Sequence, residues 1–326
     1  MIAALAACSA NPVDAPPPTI VPAEAAASPP VTGNPAGSVV PLDVSARGAV
    51  FDPATRSLAV LGSGADGRST LTVLAGTDQP RTVLLPAPAT AITGDGHGTL
   101  YLSIRGGYLR FDVAHAETTR FDIEGGRDAD FTAIARRADG RLVLGSADGA
   151  VYTLRSDTAV GAELAAFAHV DSVVTQGDIA IVLDRAQTSV TTIDPSGTKV
   201  GQALRAGEGA TTIAADPRGR VLVADTRGDS LLVFGTDPLI LRQRYPVRDA
   251  PYGLAGSAEL AWVSQTAANT VIGYDLATGI PVEKVRYRTV RQPDLLAFDD
   301  SSGTLYVVSG SGAGVQVISN AAASRP

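Results

Sequence analysis

TTIAADPRGRVLVADTRGDSLLVF, residues 211–234, decides the fold. It opens apolar, breaks at Asp216-Pro217-Arg218-Gly219, resumes as Val221-Leu222-Val223-Ala224, breaks again over 225–230 and ends on Leu231-Leu232-Val233-Phe234. Pro, Gly and Asp set between short aliphatic runs are turns between strands. The reading is three consecutive antiparallel strands, with no room for a helix.

The same unit recurs on either side. Aligned on the first residue of the central apolar run, the positions are Leu58, Leu100, Leu142, Ala180, Val221, Ala261 and Leu305, at intervals of 42, 42, 38, 41, 40 and 44. Thr132-Ala133-Ile134-Ala135 with Gly140-Arg141-Leu142-Val143-Leu144 matches Thr211-Thr212-Ile213-Ala214 with Gly219-Arg220-Val221-Leu222-Val223 without a gap. A strand-only period of about 40 residues is that of a β-propeller blade. The expected fold is all-β, a seven-bladed propeller of four-stranded antiparallel blades. Second strands are apolar on both faces, as a strand packed between neighbouring blades must be. Fourth strands alternate, and Lys284, Arg286 and Arg288 on one side of 284–288 protect an outer edge. The seventh unit lacks its outermost strand. The otherwise unexplained Ser38-Val39-Val40-Pro41-Leu42-Asp43-Val44 is expected to supply it and close the ring.

Composition bounds the rest. The chain has 326 residues, 45% of them apolar, which suffices for a large core. Charged residues are 18% and the net charge is −7, so no basic stripe is available for nucleic acid. No apolar run reaches the roughly 18 residues of a spanning helix. The single cysteine, Cys8, allows no internal disulfide. Leu5-Ala6-Ala7-Cys8 has the form of a bacterial lipobox, in which the thiol receives a diacylglyceryl group and the chain is cut before it. Residues 1–8 are therefore expected to be the end of a signal peptide. They lack a positive n-region and a full apolar stretch, so the natural start is expected upstream. Residues 9–37, rich in Pro and Ala, are expected to form a disordered tether. Residues 38–320 are expected to form the propeller, and 321–326 a polar tail. The protein would then be extracytoplasmic and monomeric, held at the outer face of the cytoplasmic membrane by a lipid on Cys8.

The repeat resembles the YncE-like (YVTN) seven-bladed propellers over about residues 40–320. A tighter resemblance, to the LppL-type lipoproteins of mycobacteria, rests on the lipobox with its Pro-rich sequel and on residues 130–154, 187–193, 250–257, 261–287 and 306–318. It implies an exported, lipid-anchored propeller and brings no catalytic residues with it.

Chemistry is sparse. His97, His115 and His169 are the only histidines and have no metal-ligand spacing. No G-x-S-x-G occurs. Gly310-Ser311-Gly312-Ala313-Gly314 precedes a strand, so it reads as a hairpin turn rather than a phosphate cradle. Arg227-Gly228-Asp229 falls where every blade turns. Trp262, in a central apolar run, reads as packing between blades. No cofactor and no metal are expected. Propellers bind ligands on the face where fourth strands lead into the next blade. There the chain carries Arg127 with Asp130, Glu208 after Arg205, Arg248 with Tyr252, and Arg291 with Asp294. These residues form either a charged funnel for an anionic or peptide partner, or a ring of inter-blade salt bridges. The expected function is a non-catalytic binding module for an envelope protein or anionic small ligand. The alternative is a calcium-dependent lactonase or hydrolase, for which Asp130, Asp171 and Asp294 are possible ligands.

Overall fold

A computed structural model describes residues 18–42, 44–64, 67–76 and 79–323. Twenty-eight strands form seven four-stranded antiparallel sheets. The blades cover 45–84, 89–122, 131–165, 172–205, 210–246 and 251–288, and the seventh combines 293–318 with Ser38–Val40. The stretch quoted above forms Ala210–Asp216, Arg220–Asp225 and Ser230–Thr236, the first three strands of the fifth blade. The ring closes as expected. Val39 pairs with Gln316 and Val40 with Val315, although the closing strand is only three residues long.

The core explains why no blade stands alone. It divides into seven clusters, each drawn mainly from two neighbouring blades. The cluster at the closure packs Leu58 and Val60 of the first blade against Val308 and Val315 of the seventh. Each second strand lies between two such clusters, which is why Ala261, Trp262, Val263, Ser264 and Gln265 are all buried. Trp262 is fully buried and stacks on Phe298 of the next blade at 5.5 Å between ring centres. Lys284, Arg286 and Arg288 are exposed, while Val285 and Tyr287 between them are buried.

Two faces result. One carries the turns between first and second strands, where Asp52, Asp95, Asp216 and Asp299 accept backbone N–H groups. The other, the mouth face, carries the fourth-to-first connections and the second-to-third turns. Six of the seven first strands carry a register shift near their start, at the mouth end. In three of them a threonine reaches across to the next blade. Thr90 donates to Phe131 O at 2.5 Å, Thr132 to Val170 O at 2.5 Å, and Thr212 to Tyr252 O.

The terminal segments depart from expectation. Residues 20–36, expected to belong to a disordered tether, are fixed on the propeller by backbone bonds from Ile20 N to Ala186 O and from Ala36 N to Arg288 O. An extended chain with no partner strand must satisfy its polar groups elsewhere, and the mouth face supplies the partners. At the other end Ala321 is buried and its carbonyl accepts the Tyr287 hydroxyl at 2.8 Å, so docking continues past the last strand. Cys8 and the lipobox lie outside the described residues.

Candidate functional site: the mouth of the central tunnel

The seven first strands enclose a cavity of about 720 Å³ along the propeller axis. Its wall is built from small and apolar side chains such as Ala91, Ile92, Ala133, Val174 and Ile213. Ionisable groups gather at its mouth end: Arg47, Asp171, Arg185, Tyr252 and Asp294. A second cavity, about 630 Å³, opens on the opposite face beside Arg218, Arg220, Asp275 and Lys284. Its basic groups are already engaged. Lys284 pairs with Asp275 at 3.5 Å, Arg220 with Asp216 at 2.8 Å, and Arg218 donates to Ala258 O. The mouth is the better candidate.

Around the mouth, carboxylates at the ends of second strands hold the connecting loops. Asp184 accepts the N–H groups of Ala168, His169 and Gln187. Asp225 accepts those of Glu208, Gly209 and Gly228. Both side chains are fully buried, and several N–H donors compensate each charge. Inside this frame Asp171 accepts the Arg185 N–H at 2.8 Å and lies 3.8 Å from its guanidinium. His169 Nδ1 stands 3.4 Å from Asp171 Oδ1, and this carboxylate raises the imidazole pKa. Asp294 differs. Burial pushes its carboxyl up to about 6, only partly opposed by a bond from Gln292 Nε2 at 2.9 Å. The Tyr252 hydroxyl is also raised, first by burial; Arg185, Asp294 and Glu24 act on it in turn.

Of the expected face residues, Tyr252 and Asp294 line the cavity. The others do not. Arg127, Asp130, Glu208, Arg248 and Arg291 are exposed, and in the described residues none forms an ion pair, so they do not make a ring of inter-blade salt bridges. Their backbones do the structural work instead. Gln265 donates to Arg248 O at 2.7 Å and Ser309 to Arg291 O at 2.7 Å.

The residues that the sequence did not single out are those gripping the N-terminal segment. Arg185 donates to Ala23 O, Arg227 to Val21 O at 2.8 Å, Asn269 to Pro29 O at 2.8 Å, and Gln292 to Ala26 O at 3.1 Å. Gln292 Oε1 accepts Ser28 N at 3.0 Å, and Ser28 Oγ donates to Thr266 O at 2.6 Å. All lie in second-to-third turns or fourth-to-first connections of the fourth to seventh blades. Their shared signal is a long polar side chain just outside the strands, which in one sequence looks like any solvated turn.

For calcium, the mouth brings Asp171 and Asp294 to one cavity but leaves Asp130 outside it. Among the described residues no three His, Cys, Asp or Glu side chains gather as a ligand set.

The fold and mouth define a seven-bladed propeller whose own N-terminal segment is docked on the mouth face beside the fourth to seventh blades. No family model matches the sequence, and no curated protein does. Solved structures match in fold. A streptogramin B lyase aligns with a TM-score of 0.70 at 11% identity, over 87% of this chain and 96% of that one. Virginiamycin B lyase from Staphylococcus aureus aligns with a TM-score of 0.70 at 12% identity, over 86% and 98%. Kuenenia stuttgartiensis hydrazine synthase aligns at 0.68 and 13% identity, over 89% and 100%. These likenesses establish the propeller fold.

Proposed function

We propose that this chain is a non-catalytic binding module of the LppL-like kind, lipid-anchored through Cys8 at the outer face of the cytoplasmic membrane, with the tunnel mouth as its ligand face. The observation that carries the reading is the path of the N-terminal segment. Eleven residues separate Cys8 from Ile20, whose N–H is bonded to Ala186 O on the mouth face. Fully extended, they span at most about 40 Å. A lipid on Cys8 therefore keeps this edge of the mouth face within that distance of the membrane.

The test has two arms, in the chain expressed with an export leader in a mycobacterial host. Cys8→Ser is expected to move the protein from the membrane fraction to the soluble fraction. A photoreactive residue at 291, on the mouth rim, is expected to capture an envelope component that the same probe at 200, on an outer strand, does not. Membrane retention by Cys8→Ser sinks the anchor. Equal capture from both positions sinks the ligand face.

A second reading is favoured by one residue. Asp294, a carboxyl at the cavity wall whose pKa burial raises to about 6, has the protonation behaviour of a general acid or base near neutrality. Virginiamycin B lyase shares the fold, and a His-to-Ala variant of it bound to quinupristin is described as catalytically inactive. Here His169, paired with Asp171, is the histidine at the mouth. Turnover of a lactone or cyclic depsipeptide panel that is lost in Asp294→Asn would establish this reading over the first.

A further inference from the structure

The segment docked along the fourth-to-seventh-blade side of the mouth face is held in the manner of a peptide ligand. Residues 20–30, IVPAEAAASPP, run extended, with Pro22, Pro29 and Pro30 disfavouring helix. Side chains of four successive blades, Arg185, Arg227, Asn269 and Gln292, each donate to one of its carbonyl oxygens. Such contacts read an extended backbone and not a side-chain sequence.

Only two side chains of the segment are buried, Ala23 and Ser28, five positions apart, whereas Val21 is 82% exposed. The seat for Ala23 is shaped by a glycine. A Cβ on Gly209 would stand 2.9 Å from that of Ala23 and 2.8 Å from that of Arg227. The Ser28 pocket is lined by Gln292 and Thr266. Anything larger than Ala or Ser is excluded at both points.

The grip is also weak for its length. Little apolar area is buried, each hydrogen bond only replaces one to water, and ordering an extended chain costs entropy at every residue. A segment held in this way is readily displaced. Displacing it uncovers two guanidinium groups and two amides aimed at a neutral backbone, with Arg185 among them at the wall of the central cavity.

We propose that the mouth is a binding site for an extended proline- and alanine-rich peptide of a partner protein, presenting small residues five apart, and that residues 20–30 are its built-in competitor. This rests on the binding-module reading and names its ligand class.

The test uses the full chain and a fluorescent peptide of residues 18–31, PTIVPAEAAASPPV. The double variant Ala23→Trp, Ser28→Trp unseats the segment and is expected to bind the peptide at least tenfold more tightly than wild type. Adding Arg185→Ala is expected to remove at least tenfold of that affinity. A peptide carrying Trp at the position of Ala23 should not bind. In the wild-type chain, an excess of the same peptide with Gln at the position of Glu24, which the protease cannot cut, should accelerate cleavage after Glu24 by a glutamate-specific protease, a readout that does not depend on the variant folding. A folded double variant that ignores the peptide, or cleavage unchanged by it, overturns the proposal. A wild-type dimer in light scattering that dissociates when peptide is added would also overturn it, assigning the seat to a second copy's segment. Failure here alongside specific capture from position 291 rejects only the peptide class; loss of both rejects the binding module.

Discussion

Asp294→Asn isolates the most unusual charge in the molecule. The carboxyl lies at the tunnel mouth, where burial raises its pKa from 3.8 to about 6. A group that holds its proton more tightly when folded makes the folded state bind more protons than the unfolded one between those values. Wild-type stability therefore falls as pH rises through the window from about 4 to about 6. Two pKa units correspond to about 3 kcal/mol, and partial access of solvent to the cavity reduces this to about 1–2 kcal/mol. Asparagine keeps the size of the side chain and an oxygen to accept the Gln292 bond, and it has no charge to desolvate. The variant should be more stable than wild type by that amount at pH 7.5, with the gap closing by pH 4. Urea unfolding of both proteins across this range measures the difference, in which every other titrating group cancels. A variant no more stable at pH 7.5, or a gap that persists at pH 4, would refute the argument that burial raises this carboxyl.

Two further perturbations probe the frame. Asp225→Ala strands the buried N–H of Gly209 and the part-buried N–H groups of Gly228 and Glu208, and should cost about 3–5 kcal/mol in urea unfolding. Because Gly209 forms part of the Ala23 seat, the same change should speed cleavage after Glu24; a loss of stability with unchanged cleavage would separate frame from seat. Gly37→Ala places a Cβ 2.1 Å from Val317 O at a residue with φ of +72°, directly before the closing strand. It should cost about 2–4 kcal/mol, and a neutral effect would show that the closing strand adds little to ring stability.

Much of the architecture is visible in the sequence because a blade is a local object. Leu58, Leu100, Leu142, Ala180, Val221, Ala261 and Leu305 all fall at the first or second position of a second strand. Hairpins joined by short turns leave their punctuation in adjacent residues, and a strand packed on both faces must be apolar throughout. Even the ring closure could be inferred, since the seventh unit ended one strand short and an unassigned strand preceded the first.

The site was far less legible. Arg127, Arg248 and Arg291 have the spacing of a funnel, yet a side chain on a connection can turn either way, and these turn to solvent. Arg227, in what reads as an incidental tripeptide, and Asn269, in an outer turn, instead meet a segment more than 200 residues away. Composition marked residues 9–37 as unable to fold by themselves. That is true of the isolated segment, but it does not exclude docking on a surface that the rest of the chain builds. By itself, the sequence determined the repeat, the strand order and the closure, which follow from local turns and from two-faced burial. Only the tertiary structure decided which polar groups converge at the tunnel mouth and which segment docks beside them, because that depends on side-chain direction and on backbone carbonyls, and neither carries a periodic signal.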